Sequence, residues 1–456
     1  MKVARPLRLG SALLLLAPLA QAGEKDLRDL VITQDGREHR GRVIERFGEE
    51  ELVLYEGTRK REIPQEDVQT VVATRDRLAS WIAGHVQGLP PEKEWALVEQ
   101  AEELALPEMA RLQAYQTLLA DPEHAGAHEY LGHQRGPRGY RWPAGKRWVS
   151  REEHAEHIRE WPDRFVLESE HWVVETNTSV EQAVQCLFDL ELLYLRWMDE
   201  LAEDLDAGED VLEKDELKMT MHVFAARDDE GYTSFYNSER EPHYDPSRQV
   251  MTARGNPNLS FTFYEGSSPR PVDFFDVAVQ QLMYSTLVLS RRSGFLPVDI
   301  LTRNAHWVEL GMGYWLGRQL TGSPGYARPI EFHPEPRNER LARELLRTGP
   351  LSRRRVRKEI TNLIGLELRA FHALDDDGHS RIYRAKARSL FRYLMEENPP
   401  AVKRGQVVGY GREALFHYLR DAYVTPTSHS SSSFDEGLGG AKVEDLYDGW
   451  ARWRMN

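Results

Sequence analysis

One cysteine, Cys186, stands among 456 residues. No intrachain disulfide can staple the fold, so packing alone must hold it. Cys186 lies with Val184, Leu187 and Leu190 at helical spacing, which reads as a buried thiol and not a nucleophile. Long apolar runs are scarce too. Leu9–Leu19 is one, and it is too short to span a bilayer comfortably. Positive charge is in deficit, with 59 Lys and Arg against 73 Asp and Glu. That balance argues against nucleic acid and anionic membrane surfaces as partners, because phosphate binding needs clustered cations. The basic run Arg353–Lys358 reads as the solvated face of a helix. Nucleotide-binding signatures are missing: Gly255–Asn258 is a turn, and there is no Walker or dinucleotide motif. The Ser428–Ser433 tract reads as a flexible loop without a nucleophile elbow.

What is present begins with an export signal. Lys2, Arg5 and Arg8 precede the apolar Leu9–Leu19, and Ala20-Gln21-Ala22 forms an A-x-A cleavage site,. Glu24, Lys25 and Asp26 follow at once, and no cysteine at the site would take a lipid anchor. The expected location is the periplasm or the exterior. Removing residues 1–22 leaves 56 basic against 73 acidic residues, a net charge of −17.

Residues 23–75 alternate in short strands with tight turns at Asp35-Gly36 and Glu56-Gly57-Thr58,. Five strands, with a single helical turn expected between Ile63 and Val68, resemble a small SH3-like or Sm-like β-barrel. Residues 76–135 have helical periodicity over Leu78–Val86, Glu92–Leu104 and Glu108–Leu119, then a short helix His128–Gly132,. They resemble a tetratricopeptide-like helical hairpin bridging to a larger domain. Residues 136–164 read as an ordered linker, with a capping box at Ser150-Arg151-Glu152-Glu153.

Residues 165–456 carry the most specific pattern. A strand around His171–Asn177 leads into an amphipathic run from Val180 to about Asp206, then a strand Leu217–Ala225. Two apolar helices follow, one through Val279–Tyr284 and one from His306 to Trp315. Downstream, Ile382–Met395 and Val407–Tyr423 read as helices, and a final helical stretch holds Trp450 and Trp453. Taken alone, the segment Val279–Leu287 is an ordinary core helix. In this order, however, the elements resemble a family of secreted bacterial gluzincin-like proteins of the zincin metallopeptidase superfamily.

In such peptidases the first helix carries HExxH and the second a Glu-Gly motif that supplies the third zinc ligand. Histidines at i and i+4 lie about 40° apart on a helix and reach one metal. The neighbouring Glu takes a proton from the zinc-bound water. Here the frame reads Gln280-Gln281-Leu282-Met283-Tyr284. Gln280 stands for the first histidine, Gln281 for the general base and Tyr284 for the second histidine. Leu310, or Glu309 one residue earlier, stands for the third ligand. A neutral amide cannot accept the proton and is a poor zinc ligand, and no histidine lies between His243 and His306.

The expected architecture is therefore α+β and multidomain, with a zincin-like domain over 165–456 whose C-terminal part is helical. The expected function is that of a pseudopeptidase without a cofactor. Gln280, Gln281, Tyr284 and Glu309 would bind a protein, peptide or cell-envelope polymer without cutting it, since glutamine can both donate to and accept from a peptide backbone. One alternative is an active metal-dependent hydrolase with zinc on His243, His306 and Glu309. Another is a structural envelope protein acting through the barrel and the hairpin. Other histidine pairs carry less. His128 and His133 are five apart, about 140° around a helix, so they should not share a face. His124 and His128 have the i, i+4 spacing, but no Glu follows His124 and a Gly lies between them, and His154 and His157 are a further close pair.

Overall fold

The alternating N-terminal residues build a sheet. The computed structural model describes residues 29–44, 50–56, 59–84, 89–205, 218–226, 259–264, 271, 273–283, 285–286, 306–320, 362–365, 380–424, 431–446, 449–450 and 453. The expected signal peptide, His243, Tyr284, the turn 255–258 and the basic run 353–358 lie outside them. The fold is mixed α+β with several small sheets. The chain divides into two units. One comprises 1–199, 208–231 and 322–328, the other 200–207, 232–321 and 329–456.

In the first unit, β1 (Asp29–Thr33), β2 (Glu38–Ile44), β3 (Glu51–Glu56), β4 (Arg59–Pro64) and β5 (Val68–Val72) form one antiparallel sheet in the order β4-β3-β2-β1-β5. The helical turn expected before the last strand is Gln65–Asp67. The sheet is open: among the described residues β4 and β5 share no ladder. Val31, Val43, Leu54, Ile63 and Ala73 make its core. Asp29, 3 % exposed, accepts the Val43 amide at 2.8 Å and the Thr74 hydroxyl at 2.8 Å. Arg77 Nη1 lies 3.2 Å from the same carboxylate.

Thr74 and Arg77 belong to α1 (Thr74–Gly84), which is followed by α2 (Pro91–Glu103), α3 (Pro107–Ala120) and α4 (Ala125–Tyr130). Proline at the first helical position starts α2 and α3, where its missing N–H costs nothing. The expected linker carries a sheet of its own: β6 (Gln134–Gly136), β7 (Gly139–Ala144) and β8 (Arg147–Val149) pair antiparallel. The capping box is present, with Ser150 Oγ accepting the Glu153 amide and Glu153 accepting the Ser150 amide at the start of α5 (Arg151–His157).

Strands β9 (Phe165–Glu168), β10 (Trp172–Thr176) and β11 (Met219–Phe224) lie side by side, antiparallel then parallel. A parallel pair needs a crossover, which here includes α6 (Val180–Trp197), capped by Ser179. The amphipathic run leaves regular α-geometry after Trp197, in a π-type turn Met198–Ala202 and a last turn Glu203–Leu205. Cys186 is buried on α6.

The second unit holds β12 (Leu259–Phe263), α7 (Phe274–Met283), α8 (His306–Leu320), α9 (Ser380–Glu396), the hairpin β13 (Pro400–Lys403) and β14 (Gln406–Tyr410), α10 (Gly411–Val424) and α11 (Ser431–Gly437). Two expectations change. The helix expected from Val407 starts only at Gly411, because Val407–Tyr410 pairs with β13. Residues 431–433 of the serine tract are the first turn of α11. No described helix is long and apolar enough to cross a membrane.

Candidate functional site

Helix α8 is buried on nearly every side, as befits an apolar helix at the centre of a layer. Two glycines make that position open to it. A Cβ on Gly311 would stand 2.2 Å from Cβ of Phe391 in α9, and one on Gly313 would stand 2.7 Å from Cα of Asp276 in α7. The glycines face different neighbours, so α8 fits tightly against both. Sequence reasoning takes this segment for the remnant of a zinc-ligand motif and misses the packing role of its glycines.

The close approach brings three predicted residues together. Gln280 Nε2 donates to Glu309 Oε2 at 2.6 Å. The same oxygen lies 3.0 Å from His306 Nδ1, one helical turn back on α8. Gln280 Nε2 and His306 Nδ1 are 3.4 Å apart. His306 and Glu309 are buried and Gln280 is half-buried. A buried carboxylate requires donors, and the glutamine amide provides one. Gln281 is fully buried and donates to Ser285 Oγ at 3.2 Å. Leu310 is buried. Tyr284 and His243 lie outside the described residues. Among the described residues the cluster thus holds two ligand-type groups, His306 and Glu309, and the amide beside them presents hydrogens, not a lone pair.

An ion network joins the start of α7 to α9. Arg384 pairs with Asp273, and Arg388 donates to Asp276 at 2.8 Å while lying over the Tyr314 ring at 5.5 Å. Burial pushes the Asp273 carboxyl up, but Arg384 and Arg388 outweigh it and hold the group below its ordinary range. Arg384, Arg388 and Arg392 recur every fourth residue along α9, a signal legible in sequence that sequence reasoning missed.

The first unit corrects the reading of its histidines. The helix that should have kept His128 and His133 apart ends at Tyr130, and Gly132 turns the chain back at φ 73°. The two Nδ1 atoms consequently lie 2.7 Å apart. His128 Nε2 is 2.8 Å from the Pro122 carbonyl and must donate to it. In the neutral ring its Nδ1 is then the acceptor and His133 Nδ1 the donor. Tyr140 stacks on His128 at 3.8 Å, and Trp142 lies between His133 and His154. Burial holds His133 and His154 down to about 4, and lowers His128. His124 is the N-cap of α4, accepting from the Ala127 amide. His157 lies 3.6 Å from Asp163.

A second carboxylate–histidine group lies on β10 and β11. Glu175 is 3.1 Å from His222 Nε2 and accepts from Arg164 Nε at 2.5 Å. Burial works against its ionisation, yet His222 and Arg164 hold it down to about 2.

Set against known proteins, the chain matches no family model and no curated sequence.

Proposed function

We propose that the protein is a secreted or periplasmic pseudopeptidase of the gluzincin-like type. Its zincin-like region binds a protein, peptide or cell-envelope polymer without hydrolysing it. The chain enters the export pathway through residues 1–22. In this reading the sheet of 29–72 is an SH3-like or Sm-like module, and the following helices are a tetratricopeptide-like bridge.

The observation that carries the reading is the Gln280–Glu309 hydrogen bond of 2.6 Å. In the gluzincin frame Gln280 would stand for the first zinc ligand, and Glu309 for the third if the helix is shifted by one residue. An amide N–H would then meet a carboxylate there. The general-base position, Gln281, is an amide that cannot take up a proton. Chemistry that depends on a zinc-bound water has no base here, whereas an amide and a carboxylate still offer donors and acceptors to a peptide backbone.

A specific observation favours one second reading. His306 and Glu309 lie 3.0 Å apart, which suits a shared metal, and with His243 they would make a non-standard hydrolase site. One experiment separates the two. Purified protein is incubated with unfolded casein and with peptidoglycan fragments, with and without zinc, and products are followed by mass spectrometry alongside co-sedimentation. The pseudopeptidase predicts intact substrate and retention that weakens in a Gln280→Ala, Glu309→Ala double variant. Cleavage that chelator stops and Glu309→Gln abolishes would overturn it in favour of the hydrolase.

A further inference from the structure

Helix α10 presents His417 and Asp421 at i and i+4, the spacing that sets two side chains on one face. Helix α11 adds Glu436. One ligand atom from each of the three lies within 4.8 Å of the others. The approach of α11 depends on Gly437, where a Cβ would stand 2.7 Å from Cα of Ala414 and 3.0 Å from Cβ of His417. The glycine lets one helix end rest on the other and so delivers Glu436.

Three features distinguish this group from a chance meeting of surface charges. First, His417 Nδ1 is buried and has no hydrogen-bond partner among the described residues. It faces Asp421 Oδ2 at 3.8 Å. That gap is too long for a hydrogen bond, but close to the roughly 3.3 Å that separates two ligands on one tetrahedral zinc. Second, no lysine or arginine among the described residues pairs with Asp421 or Glu436; the nearby Lys442 is taken by Asp435 at 2.6 Å. Third, Asp421 is already oriented, because the Ser433 hydroxyl donates to its Oδ2, as hydrogen-bond donors behind ligating carboxylates do.

We propose that His417, Asp421 and Glu436 bind a divalent first-row transition ion, zinc foremost. One imidazole and two carboxylates suit such an ion better than calcium or magnesium, which prefer oxygen alone. Their charges neutralise it, and the half-exposed setting leaves a coordination position for water. The site is separate from the Gln280–Glu309 cluster and does not rest on its reading.

The test is calorimetric titration of zinc chloride into chelator-stripped, untagged protein. The parent is expected to take up one zinc per chain. Glu436→Gln and His417→Ala should each weaken binding at least a hundredfold, Ser433→Ala about tenfold, and Glu309→Gln not at all. Glu436 is exposed, so its variant keeps the fold, and circular dichroism without zinc checks each protein. Absence of saturable zinc binding by the parent, or binding unchanged in both ligand variants, would overturn the site. Loss of zinc in Glu309→Gln alone would assign the metal to α7 and α8 instead.

Discussion

Two buried polar clusters, one in each unit, are built by opposite means. In the first, His128, His133 and His154 are kept neutral among Tyr140 and Trp142, and their protonation is suppressed by burial. In the second, Asp273 and Asp276 pair with Arg384 and Arg388, and charge is matched by charge. The neutral cluster needs no counterion but depends on pH. The ion network needs both partners and leaves a stranded charge when one is lost.

The contrast is broken hardest at Arg388. Arg388→Met leaves Asp276 without its guanidinium and should cost about 3–5 kcal/mol in urea unfolding, whereas replacing Asp276 and Arg388 together by Asn and Met should recover much of that. A single-variant loss below about 1 kcal/mol would mean that pairing is not what holds α7 to α9.

Acid probes the other side. His133 and His154 titrate near 6.5 when unfolded and about 4 when folded, so the unfolded chain binds more protons between those values. Their contribution is complete above pH 6.5 and is lost as pH falls toward 4. The loss amounts to roughly 2 kcal/mol per histidine at pH 5. Unfolding free energies measured at pH 7.5 and 5 should differ by less in a His133→Asn, His154→Gln double variant. An unchanged difference would place the acid sensitivity elsewhere.

Smaller effects refine the picture. Gly311→Ala puts a methyl against Phe391 and should cost about 1–3 kcal/mol, read as a lower melting temperature. Ser150→Ala removes one capping bond from α5 and should cost about 1 kcal/mol.

Much of the architecture is legible in sequence because its signals are local. Period-two alternation with Asp35-Gly36 marks β1 and β2, and Pro91 and Pro107 mark helix starts within one residue of the expected bounds. Ser150 and Glu153 announce their cap. The misses come from interactions that no window contains. Val407–Tyr410 is a strand because the chain reverses through Arg404 and Gly405, both at positive φ, and pairs back on β13. The histidine pair forms because α4 stops at Tyr130, two residues before periodicity alone ends it. Of the candidate site, Gln280, His306 and Glu309 are nameable from the motif frame. That they share one hydrogen-bonded oxygen follows only from the packing of α7 on α8. His417 and Asp421 stand at ligand spacing in the sequence, but their third partner arrives from another helix.

Asp29 has a bearing on how the chain could be cut. Its carboxylate joins β1 to β2 through Val43 and reaches beyond the sheet to Thr74 and Arg77. A fragment ending at residue 75 would keep all five strands yet strip the guanidinium from a buried anion. A cut that leaves this anion paired therefore falls after Arg77, within or beyond α1.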